Sequence, residues 1–393
     1  MSTDSSTPAQ NSPSPVPAAA LLAFADPSGD SGVRVWGLTA VERLERGLGR
    51  AGVSNVAAET SALPAGADRV LLIRADYFYD ERLLQALATA ELGTRLGQAG
   101  EPLATVVSAS DASQAEAWLR GDSSSAGVPC AVSDLVSSYD SKLRKHHVPF
   151  VLRARSKNVR SVENQIFAAS YKGITDLVTK WIWPLPAREV VRICARRGIS
   201  PNSVTYVSYV LAIAVIAPWA YGWFATGLVL GWIMTFLDTV DGKLARCTLT
   251  SSKLGDVLDH GLDLVHPPIW WAAWAWGLAA AEPGFGSFAV STWIIVVGYV
   301  FGRLLEGVFM LWFKMDMFTW RPFDALFRQV IARRNPNLLF LTAGIAFAAP
   351  DAGFLAIAAW TVGSIAIQIV RIAQAAHAKS QGVTIRSWYE DRA

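Results

Sequence analysis

The chain has 393 residues, 52% of them in the hydrophobic set and only 17% charged, with sixteen tryptophans. Soluble domains usually carry about 25% charged residues, so the composition argues against a purely soluble globular protein and against a disordered or collagen-like one. The net charge of +3 averages unlike parts: residues 1–141 hold 9 Lys+Arg against 17 Asp+Glu, 142–200 hold 13 against 3, and 201–393 hold 13 against 12. An acidic head, a basic collar and a nearly neutral body imply three physical environments.

Residues 1–17 are Ser/Pro-rich and read as a disordered lead. The apolar run Ala18 to Ala25 has no basic residue ahead of it, which argues against a secretory signal peptide. Residues 18–150 then alternate short apolar runs (Ala20–Ala25, Val70–Ile73, Leu103–Val107) with helical patterns (Thr39–Ala51, Asp80–Ala88, Ala112–Leu119). This predicts an N-terminal α/β cytoplasmic domain with a parallel sheet. The three cysteines, Cys130, Cys194 and Cys247, form neither a disulfide framework nor a metal spacing. Residues 151–200 read as a basic linker ending in an interfacial amphipathic helix, or two, over Ile174 to Arg197. Trp181 and Trp183 lie on one side and Lys180, Arg188, Arg192, Arg196 and Arg197 on the other, with interruptions at Pro184 and Pro186.

From residue 201 to 378 the pattern is that of a polytopic α-helical membrane protein, followed by a cytoplasmic tail over 379–393. Ser203–Leu237 carries no Asp, Glu, Lys or Arg, and a turn near 221–227 divides it. Leu264–Ala281, Pro283–Gly302, Asn335–Pro350 and Ala352–Val370 are likewise uncharged. A span needs roughly 20 mainly apolar residues, so six transmembrane helices are expected, the segment 336–350 being the shortest. The turns near 222–226, 282–287 and 350–353 lack Lys and Arg, whereas the collar, Lys243–Lys253, the 314–334 loop and the tail carry them. The positive-inside rule then places both termini in the cytoplasm of an inner-membrane protein, with the collar against anionic lipid.

The chemistry concentrates in Asp238-Thr-Val-Asp241-Gly242-Lys-Leu-Ala245-Arg246, continuing through Gly255-Asp-Val-Leu-Asp259-His-Gly-Leu-Asp263. Asp238 and Asp241 are i,i+3 at the end of the second span, and Asp259 and Asp263 are i,i+4 at the start of the third, so each pair shares a helical face. A short connection through Cys247–Lys253 brings the four carboxylates to one level. Such a cluster near a bilayer needs a counter-charge and marks a functional site. Its hard oxygens select Mg²⁺, Mn²⁺ or Ca²⁺ over zinc. Gly242 and Ala245 let a ligand approach the backbone, and Arg246 is a fork suited to phosphate oxygens. His260 points away from the Asp259/Asp263 face and reads as a packed helix residue. Arg303 and Glu306 either pair with each other, or Arg303 joins Arg321, Arg328 or Arg371 in holding an anionic acceptor group.

The pattern Asp-x2-Asp-Gly-x2-Ala-Arg-x8-Gly-x3-Asp-x3-Asp resembles the signature of the CDP-alcohol phosphotransferase family, and Ser200-Pro201-Asn202-Ser203-Val204-Thr205 is similar to that family's segment leading into the first span. The resemblance covers about 170–376. It implies a divalent metal pair, Mg²⁺ or Mn²⁺, held by Asp238, Asp241 and Asp259, with Asp263 as general base and further metal ligand. It also implies a nucleotide cradle of Gly242, Ala245, Arg246 and Gly255, with Pro201 and Asn202 near the cytidine. The implied reaction transfers a phospho-alcohol group from a CDP-linked donor to an alcohol or polyol-phosphate acceptor, with CMP released, in phospholipid or phospho-polyol synthesis. Family members are often homodimers. Nucleic acid is not an expected partner.

In the head, Gly37–Val56 and Leu71-Leu-Ile-Arg-Ala-Asp76-Tyr-Phe-Tyr-Asp-Glu-Arg-Leu-Leu resemble sugar-nucleotidyltransferase-like domains, where an aspartate binds metal. The segment matching their phosphate loop, Ala23-Phe-Ala-Asp-Pro-Ser-Gly-Asp, has one glycine and no Lys or Arg, so the domain is expected to be inactive. The domain order is similar to that of bifunctional inositol-1-phosphate cytidylyltransferase/di-myo-inositol-phosphate-phosphate synthases. Two other readings stay open: a bifunctional enzyme that also makes its CDP-alcohol from CTP, and a cation-binding transporter, which metal-dependent CMP formation would exclude.

Overall fold

A computed structural model of the chain describes residues 16–23, 32–64, 66–122, 128–281 and 285–390, without the side chains at 253, 254, 256–260, 262, 263, 281 and 285–287. Most of the expected disordered lead, the segment 24–31 and the expected turn Glu282-Pro283-Gly284 therefore lie outside the described residues. The chain divides into two compact units. One holds the described residues up to Ser138 together with His147–Ile166, and the other holds Tyr139–His146 and the residues from Phe167 onward.

The first unit is built on β1 (Ala18–Leu22), β2 (Asn55–Ala57), β3 (Val70–Arg74), β4 (Phe78–Tyr79), β5 (Arg95–Gln98) and β6 (Glu101–Val107), with helices α1 (Ala40–Arg50), α2 (Glu81–Ala88), α3 (Ala112–Arg120) and α4 (Val132–Leu135). Five strands form one sheet in the order β2-β1-β3-β6-β5. Along β1 and β3 every side chain is buried, and alternate residues feed opposite faces. Ala19, Leu21, Leu71 and Ile73 meet Leu44 and Leu48 of α1 and Leu83 and Leu87 of α2. Ala18, Ala20, Leu22, Val70 and Leu72 meet Ala115, Trp118 and Leu119 of α3 on the other face. Helix α1 starts at a reciprocal capping box between Thr39 and Glu42, and Asp80 caps α2.

The sheet is mixed, which corrects the expected parallel one. β1 runs parallel to β2 and β3, but β6 is antiparallel to both β3 and β5. The cause is the turn Gln98-Ala99-Gly100-Glu101, in which Ala99 (φ 52°) and Gly100 (φ 84°) are both left-handed. A two-residue connection of that kind joins antiparallel neighbours. The polar β5 strand was not expected from the sequence.

The second unit opens with a hairpin of β7 (Tyr139–Asp140) and β8 (Lys145–His146). The first unit's β9 (Val151–Leu152) pairs with β4, and α5 (Val159–Ala169) follows it. After a π-helical turn over Val178–Ile182 come α6 (Pro184–Arg196), α7 (Pro201–Ala214), α8 (Ile216–Ala220), α9 (Phe224–Cys247), α10 (Lys253–Ala281), α11 (Phe285–Phe313), α12 (Pro322–Val330), α13 (Arg334–Ala346) and α14 (Pro350–Ser380). Among the described residues, four helical segments are long and apolar enough to cross a membrane: Pro201–Ala220, Phe224–Cys247, Phe288–Phe313 and Pro350–Ser380.

Six spans were expected, and two segments account for the difference. Helix α13 has 13 residues, about 20 Å at the usual rise, against a hydrocarbon core of about 30 Å. It ends where Ala348 turns left-handed (φ 53°), just before Pro350 starts α14. Helix α10 has 29 residues, but part of its first half lies outside the described side chains.

At the start of α9 the helices meet on tryptophans. Trp219, Trp270, Trp271 and Trp274 are all buried, with Trp219 edge-on to Trp270 at 5.3 Å and to Trp274 at 5.1 Å. Two glycines make this approach possible: a Cβ at Gly227 would lie 2.3 Å from the Trp219 ring, and one at Gly277 would lie 2.0 Å from the Trp219 carbonyl oxygen.

Candidate active site

Asp238 and Asp241 sit near the C-terminal end of α9 on the face expected from their spacing. Asp241 is 5% exposed, and its Oδ2 accepts a hydrogen bond of 2.6 Å from the Thr205 hydroxyl on α7. Helix α7 is placed to do this by a cap at Ser200, whose hydroxyl accepts from the Ser203 amide, with Pro201 in the first turn. The carboxylate of Asp238 faces a cation, the Arg334 guanidinium at the start of α13, at 2.5 Å. Charge-assisted contacts of this kind fix both carboxylates.

The small residues of the motif hold neighbours close. A Cβ on Gly242 would come 3.2 Å from Arg246 Nη2, so the guanidinium lies against the backbone there. A Cβ on Gly255 would come 3.2 Å from Ser252 Oγ and 3.6 Å from Asn202 Oδ1. The starts of α7 and α10 are thus adjacent, and Asn202 and Gly255, widely separated in the chain, are neighbours. Between α9 and α10 the backbone reverses through Leu249 (φ 54°), with the Thr250 amide donating to the Ala245 carbonyl at 2.9 Å. Asp259 and Asp263 fall within the first three turns of α10. Their side chains, and that of His260, lie outside the described residues. Among the described residues no group of three or more metal-capable side chains occurs.

Beside Asp238 opens a cavity of about 620 Å³. Its described lining includes eight cationic side chains (Arg144, Lys172, Lys243, Arg246, Arg303, Arg328, Arg333 and Arg334) against four acidic ones (Asp176, Asp238, Glu306 and Asp316). The excess of positive charge suits an anion. Burial, reinforced by the neighbouring Arg333 cation, pushes the Arg328 guanidinium down to about 9, so it still carries its proton at neutral pH. Its Nη1 is buried without a hydrogen-bond partner among the described residues. Burial also pushes the Tyr171 phenol up, and the Lys243 ammonium rests over its ring at 3.5 Å.

Of the four arginines considered for the acceptor, two line the cavity and two do not. Arg303 and Arg328 line it. Arg303 also stands 3.7 Å from Glu306, whose main partner is Arg333. Arg371 is committed elsewhere: it is buried and holds Asp324 through two contacts of 2.6 and 2.8 Å. Arg321 is exposed over the Trp320 ring, and its own amide is capped by Asp324. Sequence reasoning missed Lys172, Arg333, Arg334 and Arg144 as wall residues; the basic runs around 142–145 and 333–334 were the available signal.

Residues 198–363, which hold all four motif aspartates, match the CDP-alcohol phosphatidyltransferase family. Ethanolaminephosphotransferase 1 of Homo sapiens is 25% identical over 183 residues, 42% of this chain and 40% of that protein. Archaetidylinositol phosphate synthase of Aeropyrum pernix is 35% identical over 86 residues, 22% of this chain and 44% of that protein. The crystal structure of Mycobacterium tuberculosis phosphatidylinositol phosphate synthase with CDP-DAG bound covers 47% of this chain and 92% of its own, at 16% identity and a TM-score of 0.39. This chain spans less than half the length of the curated relatives it matches. The similarity to the CDP-alcohol phosphatidyltransferase family thus lies over residues 198–363, and the curated relatives are similar to this chain over part of their length.

Proposed function

We propose that this protein is a membrane-embedded CDP-alcohol phosphotransferase, moving a phospho-alcohol group from a CDP-linked donor to an acceptor hydroxyl with release of CMP. The observation that carries the reading is a pair of oriented carboxylates, Asp238 and Asp241, beside a cavity whose described wall is rich in cations. The match of residues 198–363 to the family supports it.

The donor set suits a divalent metal. Asp238 and Asp241 offer hard oxygens on one helical face. Asp238, Asp241, Asp259 and Asp263 would hold Mg²⁺ or Mn²⁺, which when bound neutralises phosphate oxygens and makes CMP a good leaving group. Arg246, laid against Gly242, would hold the donor's phosphate oxygens, with Ala245 and Gly255 leaving room for the nucleotide and Pro201 and Asn202 beside the cytidine. Asp263 would take the proton from the acceptor hydroxyl. The freed oxygen attacks the β-phosphorus in line as the bond to the CMP oxygen breaks. Arg303, Arg328, Arg333 and Lys172 favour an acceptor that itself carries an anionic group, such as a polyol phosphate.

Helices α10 and α13 would complete a six-helix membrane domain. Its basic loops and both termini would then face the cytoplasm, with α6 in the interface against anionic lipid and the whole assembled as a homodimer. The exposed Trp181, Ile182, Leu185 and Ile193 support the interfacial placement of this region. For the first unit we propose a nucleotidyltransferase-like domain without catalysis. Asp76, the counterpart of a metal ligand, is held by Arg74 at 2.8 Å and Arg153 at 3.0 Å.

The test uses the purified chain in lipid nanodiscs with Mg²⁺, a CDP-linked lipid and a panel of alcohols with and without a phosphate. CMP release that disappears in Asp238→Asn, with the fold retained, is the expected result. Undiminished release in that variant would overturn the proposal.

A further inference from the structure

The Tyr139–His146 hairpin lies outside the segment that matches the family, yet it belongs to the second unit and carries a residue of the cavity wall. That residue is Arg144, whose backbone is left-handed (φ 52°), a conformation that costs a non-glycine residue energy and persists only where its surroundings enforce it.

The hairpin is held from three directions. The Gly173 amide donates to the Leu143 carbonyl at 2.7 Å, and Lys145 Nζ donates to the carbonyls of Ala168 and Ala169 at the end of α5. His146 Nε2 bonds the Tyr389 carbonyl at 2.7 Å, while the Tyr139 and Tyr389 rings stack at 5.7 Å. Gly173 makes the approach possible, since a Cβ there would fall 2.3 Å from the Arg144 carbonyl oxygen. The side chain is oriented as well. Arg144 Nη1 meets Asp316 Oδ2 at 2.8 Å, and Asp316 is fixed by accepting the Phe318 amide at 2.8 Å. Among the described residues, the remaining guanidinium nitrogens of Arg144 have no partner, although the residue lines the cavity. A strained, anchored arginine fork that keeps donors unused at a basic cavity is suited to a phosphate.

We propose that Arg144 is a specificity-determining residue that binds the phosphate of the acceptor, delivered to the cavity by a hairpin that the C-terminal Tyr389 helps to hold. The inference rests on the reading of this chain as a CDP-alcohol phosphotransferase with a phosphorylated acceptor.

The experiment compares wild type, Arg144→Gln and Arg144→Lys in nanodiscs, varying donor and acceptor separately. In Arg144→Gln the KM for a phosphorylated polyol should rise about 10- to 100-fold, the loss of a contact between charged groups, with kcat and the donor KM little changed. Arg144→Lys should recover part of the loss, and turnover of an acceptor without phosphate should be indifferent to both. Gly173→Ala, which leaves every charge in place, should shift the acceptor KM in the same direction. Equal rises in both KM values, or no rise in the acceptor KM, would overturn the inference.

Calorimetric titration of inorganic phosphate into wild type and Arg144→Gln separates the two levels. If wild type releases no CMP with any acceptor, the functional reading fails. Phosphate binding that is lost in Arg144→Gln would then still support Arg144 as an anion-binding residue, and equal binding would overturn it.

Discussion

Thr205 offers a sharp test of how the motif carboxylates are held. Its hydroxyl is 2.6 Å from Asp241 Oδ2, and the two residues are 8% and 5% exposed. Thr205→Val keeps the shape and removes the donor, leaving a buried carboxylate short of a hydrogen bond. A hydrogen bond to a charged group contributes about 1.5–3 kcal/mol, and each 1.4 kcal/mol is about tenfold. The Mg²⁺-dependent rate of CMP release should therefore fall roughly 10- to 150-fold in Thr205→Val. Thr205→Ser, which restores the hydroxyl, should stay near wild type. The readout is CMP formation across a Mg²⁺ titration, with a thermal melt as a check on folding. A valine variant with the wild-type rate and half-saturating Mg²⁺ would refute the idea that Thr205 orients Asp241.

Gly277→Ala should prevent correct folding, because its Cβ would lie 2.0 Å from a backbone oxygen. In contrast, Gly242→Ala should fold normally and lose activity, because its Cβ meets only the mobile end of Arg246; gel filtration and CMP release distinguish the two. Breaking the buried pair with Asp324→Ala should destabilise the protein by about 3–5 kcal/mol, while the double change Asp324→Leu with Arg371→Met should cost less, as read by thermal unfolding. Thr39→Ala should remove about 1 kcal/mol from the first unit. The Glu42 carboxyl is held low mainly by the Thr39 backbone amide, so its folded-state pKa is depressed. Its contribution should be fully present at neutral pH and be lost as the solution is acidified through that depressed value, which urea melts at several pH values would follow.

The sequence exposed the parts of the site that are local. Asp238 and Asp241 share a face because they are three positions apart on a helix, and the small residues beside them were legible for the same reason. Partners that depend on tertiary contact were not. Arg334 lies 96 positions from Asp238 and Asp324 lies 47 from Arg371, so no periodicity could show that one arginine faces a motif aspartate while another is spent on structure. The first unit shows the same division. The uninterrupted apolar runs of β1 and β3 mark buried central strands, whereas Arg95-Leu-Gly-Gln98 has too little pattern to be read as a strand. The turn at Ala99-Gly100 that makes it one also makes the sheet mixed. The segment 336–350 is uncharged throughout, and its composition hides the left-handed Ala348 that stops the helix.

The tryptophan contacts at the start of α9 have a mechanical consequence. With Gly227 packed directly against Trp219, that end of α9 cannot slide past its neighbours, and it acts as a fulcrum. Asp241 lies fourteen residues further along the same helix, a lever arm of about 21 Å. A ligand that draws the carboxylate by 1 Å would therefore swing the helix by only about 3°. The far end is tied as well, by the Thr205 hydroxyl on Asp241, so α9 is held at two points about 21 Å apart and the tryptophan end keeps its packing through so small a rotation.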